Sequence, residues 1–519
     1  MKKLPIGIQN FRELITGNYL YIDKTESIYH LFANGGKYYF LSRPRRFGKS
    51  LLVSILKEIF SGNRDLFKGL WIYNKIKTES FPIIHIDFSN LSFTTPHQLE
   101  QSLSWRMSEI ASENGMYLSA QDSKTKFYQL IRLLAQKNKV VVLIDEYDKP
   151  IIDNIEKKRI AMENRDILRS FYSTIKGCDE YLKFTFLTGV SKFARVSVFS
   201  GLNNLNDITI DEKHSTLLGY TEEELIHYFK DRFDELATNY RISKKDVLGN
   251  IKNWYNGYSW DGINFVYNPY SILNLFEKTH FRDYWFSSGT PSFLLKLIKE
   301  NNYNISTFDS MKVNQYIFES FDIDHLEIAS LLFQTGYLTI KEKNIHEGRE
   351  VFLLGYPNQE VKESFLIYLF RTYIEKDFVW SENLLSKISQ SLKEKDIDNL
   401  IQLIKSVFSS IPYNIIESEK EAYYHTIVYL ILKLIGIKIE SEVQTNRGRI
   451  DAVIETEKYI YIMEFKTNDS DEAINQIKER GYYERYLSSG KSIILLGIRI
   501  DLQKKNIGDY KTEIINPVP

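Results

Sequence analysis

Apolar and polar positions along the chain fall into three patterns. Tyr38 to Leu41 form a short apolar run after the turn signal Asn34-Gly35-Gly36, and Leu51 to Phe60 then carry apolar residues at helical spacing. Strand, loop and helix are expected in that order. Pro82 to Phe88 reads as a strand, Lys126 to Ala135 as a helix, and Val140 to Ile144 and Phe184 to Leu187 as two more strands. Alternating strands and helices imply a parallel sheet covered on both faces. From Thr221 to about Glu375 the pattern turns mostly helical, with aromatic clusters at Trp254 to Tyr258 and Tyr284 to Phe286 that are expected to be packed core. Within it, a helix at Ile328 to Phe333, a strand at Tyr337 to Ile340, a turn around Asn344 to Glu347 and a strand at Val351 to Leu354 would suit a winged-helix unit. The last region reads as helices, a strand pair around Ile437 to Glu455, a strand Tyr459 to Phe465, a helix Asp471 to Leu487 and a strand Ser492 to Ile498. Domains are therefore expected at 1–220, 221–375 and 376–519.

Composition narrows the class. The chain has 519 residues, 43% hydrophobic and 26% charged, so each domain can bury a core without disulfide or metal staples. Lys+Arg 67 cancel Asp+Glu 67, so a polyanion would have to be met by a local patch. Cys178 is the only cysteine, which excludes an intrachain disulfide and fits a reducing, cytoplasmic setting. The polar residues Gln9, Asn10, Arg12 and Glu13 stand where a signal peptide needs its apolar stretch. The most apolar helix-like run, Thr426 to Ile439, contains Lys433 and is too short to span a bilayer, so no membrane partner is expected.

Two constellations carry chemistry. Arg43-Pro44-Arg45-Arg46-Phe47-Gly48-Lys49-Ser50 lies between an expected strand and helix, where a Walker A loop wraps phosphates with backbone N–H groups. Gly48 would permit close backbone approach, Lys49 would reach the β- and γ-phosphates of ATP, and Ser50 would bind Mg²⁺. The general pattern has glycine where this chain has Arg43. Arg43, Arg45 and Arg46 are either phosphate ligands or a solvated basic loop. Val140 to Ile144 end in Asp145 and Glu146, the first placed to hold the Mg²⁺ shell and the second to polarise water. Thr188, Ser191, Lys192 and Arg195 follow the next strand, as γ-phosphate sensors or as ordinary surface polar residues. The second constellation is Asp451 on one strand and Glu464 with Lys466 on the next. Glu464 and Lys466, two apart, share a strand face. Asp451, Glu464 and the Phe465 carbonyl would hold Mg²⁺, with Lys466 orienting the nucleophile or stabilising the transition state of phosphodiester hydrolysis.

The motifs Tyr21-Ile22-Asp23-Lys24-Thr25, Arg43 to Ser50, Asp145-Glu146-Tyr147-Asp148-Lys149-Pro150, Thr188 to Phe193 and Phe199 to Asn204 resemble the AAA-ATPase-like family over residues 1 to about 215, and that family also has Arg at position 43. Asp451, Glu464 and Lys466 resemble the PD-(D/E)XK nuclease superfamily, and residues 376–519 are similar to the nuclease-like domain joined to this ATPase type. The second resemblance implies an extra acidic ligand at Glu421, four residues before His425, and a supporting Gln476 and Tyr483 on one face of the helix after Lys466. The combined reading is an α/β protein: a P-loop parallel-sheet domain, a helical, winged-helix-like linker and an α/β nuclease-like domain. ATP and Mg²⁺ are its cofactors and DNA its substrate, with RNA as the other nucleic acid. The rival reading is a nucleotide-dependent switch that binds nucleic acid or protein without cutting. The resemblance suggests genome defence or mobile-element biology, and the sequence is compatible with a homo-oligomer.

Overall fold

The structure, a computed structural model, describes residues 1–33, 35–192, 198, 202, 204–287, 289, 292–301, 303–318, 327–411, 421–435, 438–445 and 448–516, with backbone alone at 421–423, 425, 438–445 and 448–451. It divides into two compact units, Met1–Gly289 with Ser310–Val361, and Thr290–Asp309 with Lys362–Pro519.

The first unit is built on five strands: β1 (Tyr38–Ser42), β2 (Ile83–Asp87), β3 (Val140–Asp145), β4 (Leu182–Gly189) and β5 (Asn206–Asp207). Their order is β2-β3-β4-β1-β5 and every pairing is parallel. All six residues of β3 are buried, as an uninterrupted Val/Leu/Ile run requires when both sheet faces are covered. The helix Lys49–Phe60 places Leu52, Leu56 and Ile59 against Leu41, Val141 and Leu143. Phe40, on the alternate side of β1, meets Tyr147 edge-on, and Tyr147 neighbours Tyr172 of the helix Lys158–Gly177. The two periodicities therefore meet on both faces of one sheet, the arrangement the pattern predicts.

Helices dominate the rest of this unit, with one small sheet of β6 (Met311–Asn314), β7 (Thr339–His346) and β8 (Arg349–Gly355) in the order β6-β8-β7. The helix Ile328–Thr335 precedes the hairpin, as expected. The turn lies at Glu347-Gly348 instead of Asn344 to Glu347, because cross-strand pairing continues to His346↔Arg349. The aromatic clusters are packed core: Tyr255, Tyr258, Tyr284, Trp285 and Phe286 are all buried. Among them sits Glu360, 0% exposed, which accepts hydrogen bonds from the Ser271 hydroxyl at 2.8 Å and the Trp285 backbone N–H at 2.7 Å.

In the second unit, β9 (Lys438–Thr445), β10 (Gly448–Glu455), β11 (Tyr459–Lys466), β12 (Ser492–Asp501) and β13 (Asn506–Ile515) form a sheet in the order β13-β12-β11-β10-β9. Only β11 and β12 pair parallel, and the helix Ser470–Glu479 makes that crossover. Its Ile474 and Ile477 pack on Val453, Ile462 and Leu495. The apolar run Thr426 to Ile439 is not one helix: Glu421–Leu434 is helical and the chain is extended from Lys438. The helix expected to reach Leu487 ends at Glu479 and is followed by a turn and a 3₁₀ segment, Glu484–Ser489. Among the described residues no helix is long and apolar enough to cross a membrane.

Burial pushes the Glu360 carboxyl from its ordinary 4.5 up to about 8, only partly offset by the Trp285 and Ser271 donors. The folded state therefore holds this proton more tightly than the unfolded chain does, and the associated stability is lost as pH rises from about 4.5 through about 8. Glu360→Gln lacks this proton, so thermal melting at pH 5 and pH 9 should show the variant gaining on the parent at the higher pH. An equal difference at both pH values would show that the carboxyl does not titrate in this window.

Candidate active sites

In the first unit, β1 delivers the chain into residues 43–48 and the helix Lys49–Phe60 carries it away. Gly48, at φ 92°, is the helix N-cap and supplies no side-chain oxygen, so no side chain competes for the first-turn N–H groups that serve an anion at such an end. A cleft of about 390 Å³ opens here, bounded by Arg45, Arg46, Lys49, Ser50, Glu146 and Asp148. Its size falls in the range of roughly 300–1,000 Å³ usual for small-ligand sites. The sequence-predicted residues of both motifs thus come together, with Asp145 immediately behind them.

Lys49 is buried, and its Nζ donates to the carbonyls of Arg43 and Pro44 at 3.0 Å each. Burial lowers its pKa, while the carboxylates of Asp145, Glu146 and Asp148 act in the opposite direction. Asp145, at the end of β3, accepts from the Ser50 hydroxyl and from the Glu146 backbone N–H at 2.9 Å. Burial raises its pKa to about 6 against those hydrogen bonds. A hydroxyl and a carboxylate in contact are the hard oxygen donors that Mg²⁺ prefers, so these residues fit the ion. Glu146 lines the cleft with φ 50°, and Arg46 has φ 66°. Left-handed backbone at two side-chain-bearing residues is local strain of the kind that gathers at functional sites.

Two expectations need correction. Arg43 is neither a phosphate ligand nor solvated: it is 0% exposed, turns away from the cleft, and donates to the carbonyls of Ser42, Thr209 and His214 at 2.9, 2.7 and 3.2 Å. Its guanidinium also stacks 3.9 Å from the Trp260 ring. Thr188, Ser191 and Lys192 are buried, not surface residues, and none of them bounds the cleft. Thr188 donates to the Leu41 carbonyl at 2.7 Å and Lys192 pairs with Asp207 at 2.6 Å. Arg195 lies outside the described residues.

Asp148 is a site residue that sequence reasoning missed. Its buried carboxylate accepts from the N–H groups of Val190 and Ser191 at 3.1 and 2.6 Å, and desolvation raises its pKa to about 6. The signal was a third carboxylate three residues after Asp145, directly behind a fully apolar strand. The loop is further held from the helical region: Phe47 packs edge-on against Tyr258 and Trp260, and the Trp285 indole N–H donates to the Arg45 carbonyl at 2.9 Å.

In the second unit, Glu464 and Lys466 stand on one face of β11 as their spacing predicts, with Oε1 and Nζ 3.4 Å apart. Glu464 is 2% exposed and also accepts from the side-chain amide of Gln476. That contact depends on a close approach of helix to sheet. Gly497 is the β12 partner of Glu464, and a Cβ there would lie 2.6 Å from the Ser470 carbonyl. Asp451 lies on β10, whose pairing Ala452↔Met463, carried one residue on, sets it across from Glu464. The side chains of Asp451, Glu421 and His425 are outside those described. Among the described residues no three His, Cys, Asp or Glu side chains are grouped so as to hold a metal ion by themselves. Tyr483 does not share a helical face with Gln476, because the helix stops at Glu479; it packs instead against the sheet core as a half-buried ring.

Comparison with known proteins agrees with this division. The family model described as predicted AAA-ATPase matches residues 5–199, and that of the PD-(D/E)XK nuclease superfamily matches residues 419–510. A protein of Azotobacter chroococcum mcd 1, described as an uncharacterized protein in the vnfD 5' region, is 36% identical over 524 residues, covering 99% of each chain. The chain belongs to the AAA-ATPase-like family and joins its ATPase-like domain to a domain of the PD-(D/E)XK nuclease superfamily.

Proposed function

We propose that the first unit binds and hydrolyses ATP with Mg²⁺ and that the second cuts DNA with Mg²⁺. The observation that carries the first half is the convergence of buried Lys49 with the Ser50–Asp145 pair and Glu146 at one cleft. Lys49 exchanges its two carbonyl acceptors for phosphate oxygens, Arg45 and Arg46 draw the anion to the mouth, and Glu146 takes a proton from the attacking water. Mg²⁺, held by Ser50 and Asp145, neutralises phosphate charge when bound. In the second unit, Asp451 and Glu464 are the metal ligands, Gln476 and Lys466 fix the Glu464 carboxylate, and Lys466 meets the charge that develops on the scissile phosphate. The same residues serve RNA, so substrate class is decided by assay. The buried Cys178 is compatible with a cytoplasmic setting. Genome defence or mobile-element biology suits a nucleic-acid cutter under nucleotide control.

One observation favours the rival switch reading. Thr188 and Lys192, the residues best placed in sequence to sense a γ-phosphate, are committed to Leu41 and Asp207. Binding without turnover is what such a site would do. Substitution separates the two. Lys49→Ala should weaken ATP binding by roughly 10- to 100-fold in calorimetry, the loss expected of a charge-assisted hydrogen-bonding group. Glu146→Gln should keep ATP binding and lose roughly 10²–10⁴-fold in phosphate release. Equal release by variant and parent would mean that another residue polarises the water or that hydrolysis is absent, and a parent that binds ATP without releasing phosphate would leave the switch.

For cleavage, Lys466→Ala should retain metal and DNA binding but lose plasmid nicking, while Asp451→Ala should lose Mg²⁺ binding and nicking together. Metal titration beside assays on plasmid, linear and single-stranded DNA and on RNA, with and without ATP, reads both. Undiminished cutting by Lys466→Ala would remove this residue from the reaction.

A further inference from the structure

The indole N–H of Trp285 donates to the Arg45 carbonyl at 2.9 Å. That carbonyl belongs to the Arg45–Arg46 peptide, which is trans, so the Arg46 N–H lies on the opposite edge of the peptide plane. Fixing the carbonyl on the Trp285 side therefore fixes the N–H on the other side, and it is Arg45 and Arg46, not Trp285, that bound the cleft. The same peptide leads into left-handed Arg46, a conformation that persists only when its surroundings hold it. The two preceding carbonyls, of Arg43 and Pro44, are held by Lys49. Lys49 gives both up if it turns to phosphate, whereas the Trp285 bond does not depend on Lys49.

Trp285 is itself held from behind. Its backbone N–H donates to Glu360 at 2.7 Å, and the same carboxyl accepts from the Ser271 hydroxyl at 2.8 Å. Its ring meets Tyr337 edge-on at 5.5 Å. Gly336, at φ 89°, makes room for ring and loop together: a Cβ there would lie 2.7 Å from the Pro44 side chain and 3.3 Å from the Trp285 ring. Around the fully buried Glu360 stand Asp283 and the phenols of Tyr255, Tyr258 and Tyr284, none of which brings a positive charge.

Resting on the phosphate-loop reading above, we propose that Trp285 is a positioning residue for ATP binding, holding the Arg45–Arg46 peptide in place for the phosphates, and that the buried Glu360 carboxyl behind it sets whether this hold is kept. Neutral, the carboxyl fits its aromatic surroundings. Ionised, it has no cation to pair with and must draw in water, which opens the packing that carries Trp285. Burial raises its pKa to about 8, against the Trp285 and Ser271 donors, so the proton is present at pH 7 and is lost as pH rises through about 8. The loop should therefore grip the triphosphate better below that pH than above it.

Calorimetric titration of the full-length chain with ATP and with inorganic tripolyphosphate, each with Mg²⁺, at pH 7 and pH 9, tests this in the parent, Trp285→Phe and Glu360→Gln. Trp285→Phe keeps an aromatic ring without the indole N–H, and should weaken both ligands about 3- to 10-fold at pH 7, the worth of one hydrogen bond. Any loss from deprotonation of Lys49, whose pKa burial lowers, is common to all three proteins, so Glu360 is read from the differences between them. From pH 7 to pH 9 the parent should lose about 3- to 10-fold more affinity than Glu360→Gln, whose amide keeps an acceptor for the Trp285 N–H and cannot ionise. Trp285→Phe, with the link to the loop cut, should lose no more than Glu360→Gln over the same range. Should Trp285→Phe fail to fold, the comparison of parent with Glu360→Gln decides alone. A folded Trp285→Phe that binds both ligands like the parent, or a parent and Glu360→Gln with the same pH dependence, would overturn the positioning role and leave the phosphate loop standing. A parent that binds neither ligand would overturn the loop reading and the proposal with it.

Discussion

Arg43 carries a guanidinium in a place shut off from water, and the shape of the phosphate loop follows from where that charge goes. An unpaired buried charge is prohibitively unfavourable, so the side chain must find acceptors. It finds three carbonyls, at Ser42, Thr209 and His214, and the face of Trp260, with the charges of Asp207 and Asp261 nearby. These partners lie on the far side of the loop from the cleft. The first residue of the loop is thereby fixed to the segment after β5, and Phe47, held by Tyr258 and Trp260, fixes its other end. Between these anchors the backbone sustains left-handed Arg46, and just beyond Phe47 it turns through left-handed Gly48 to present Lys49 and Ser50 to the cleft. Glycine at this position in other Walker loops permits a bend; here a buried arginine enforces one.

The same problem of buried charge recurs at each site and is solved locally. Asp145 leans on Ser50 and Lys49, and Asp148 on two backbone N–H groups at the end of β4. Glu464 is bracketed by Lys466 and Gln476. Each carboxylate is thus aimed by its partners before any ligand arrives, which is what lets a binding or reacting group act without reorganisation. The aromatic region has a part in this too, because Trp285 joins the Arg45 carbonyl on one side to Glu360 on the other.

What was legible in the sequence was what is decided within a few residues. Gly48-Lys49-Ser50 between strand and helix, the apolar β3 ending in Asp145 and Glu146, and the two-residue spacing of Glu464 and Lys466 all stand as read. Arg43 was not legible, since its direction is set by partners some 170 to 220 positions away, at Thr209, His214 and Trp260. Lys192 read as a polar residue after a strand for the same reason: Asp207, which buries it, is not local. The helix beyond Lys466 is shorter than its pattern implies, because apolar spacing continues through Tyr482 and Tyr483 although the chain already turns at Gly481 with φ 59°. Strand β13 is not legible because it is an edge strand with half of its residues exposed and one buried, so it carries little apolar alternation.

The inward-turned arginine is tested most directly by the melting temperature of the nucleotide-free protein. Arg43→Ala leaves three carbonyls and Trp260 without their cation, and the transition should fall by at least several degrees, whereas Arg45→Ala, at an exposed position, should leave it within about a degree of the parent. An Arg43→Ala protein that melts with the parent and has lost only its affinity for ATP would contradict the account, since that is the behaviour of a phosphate ligand.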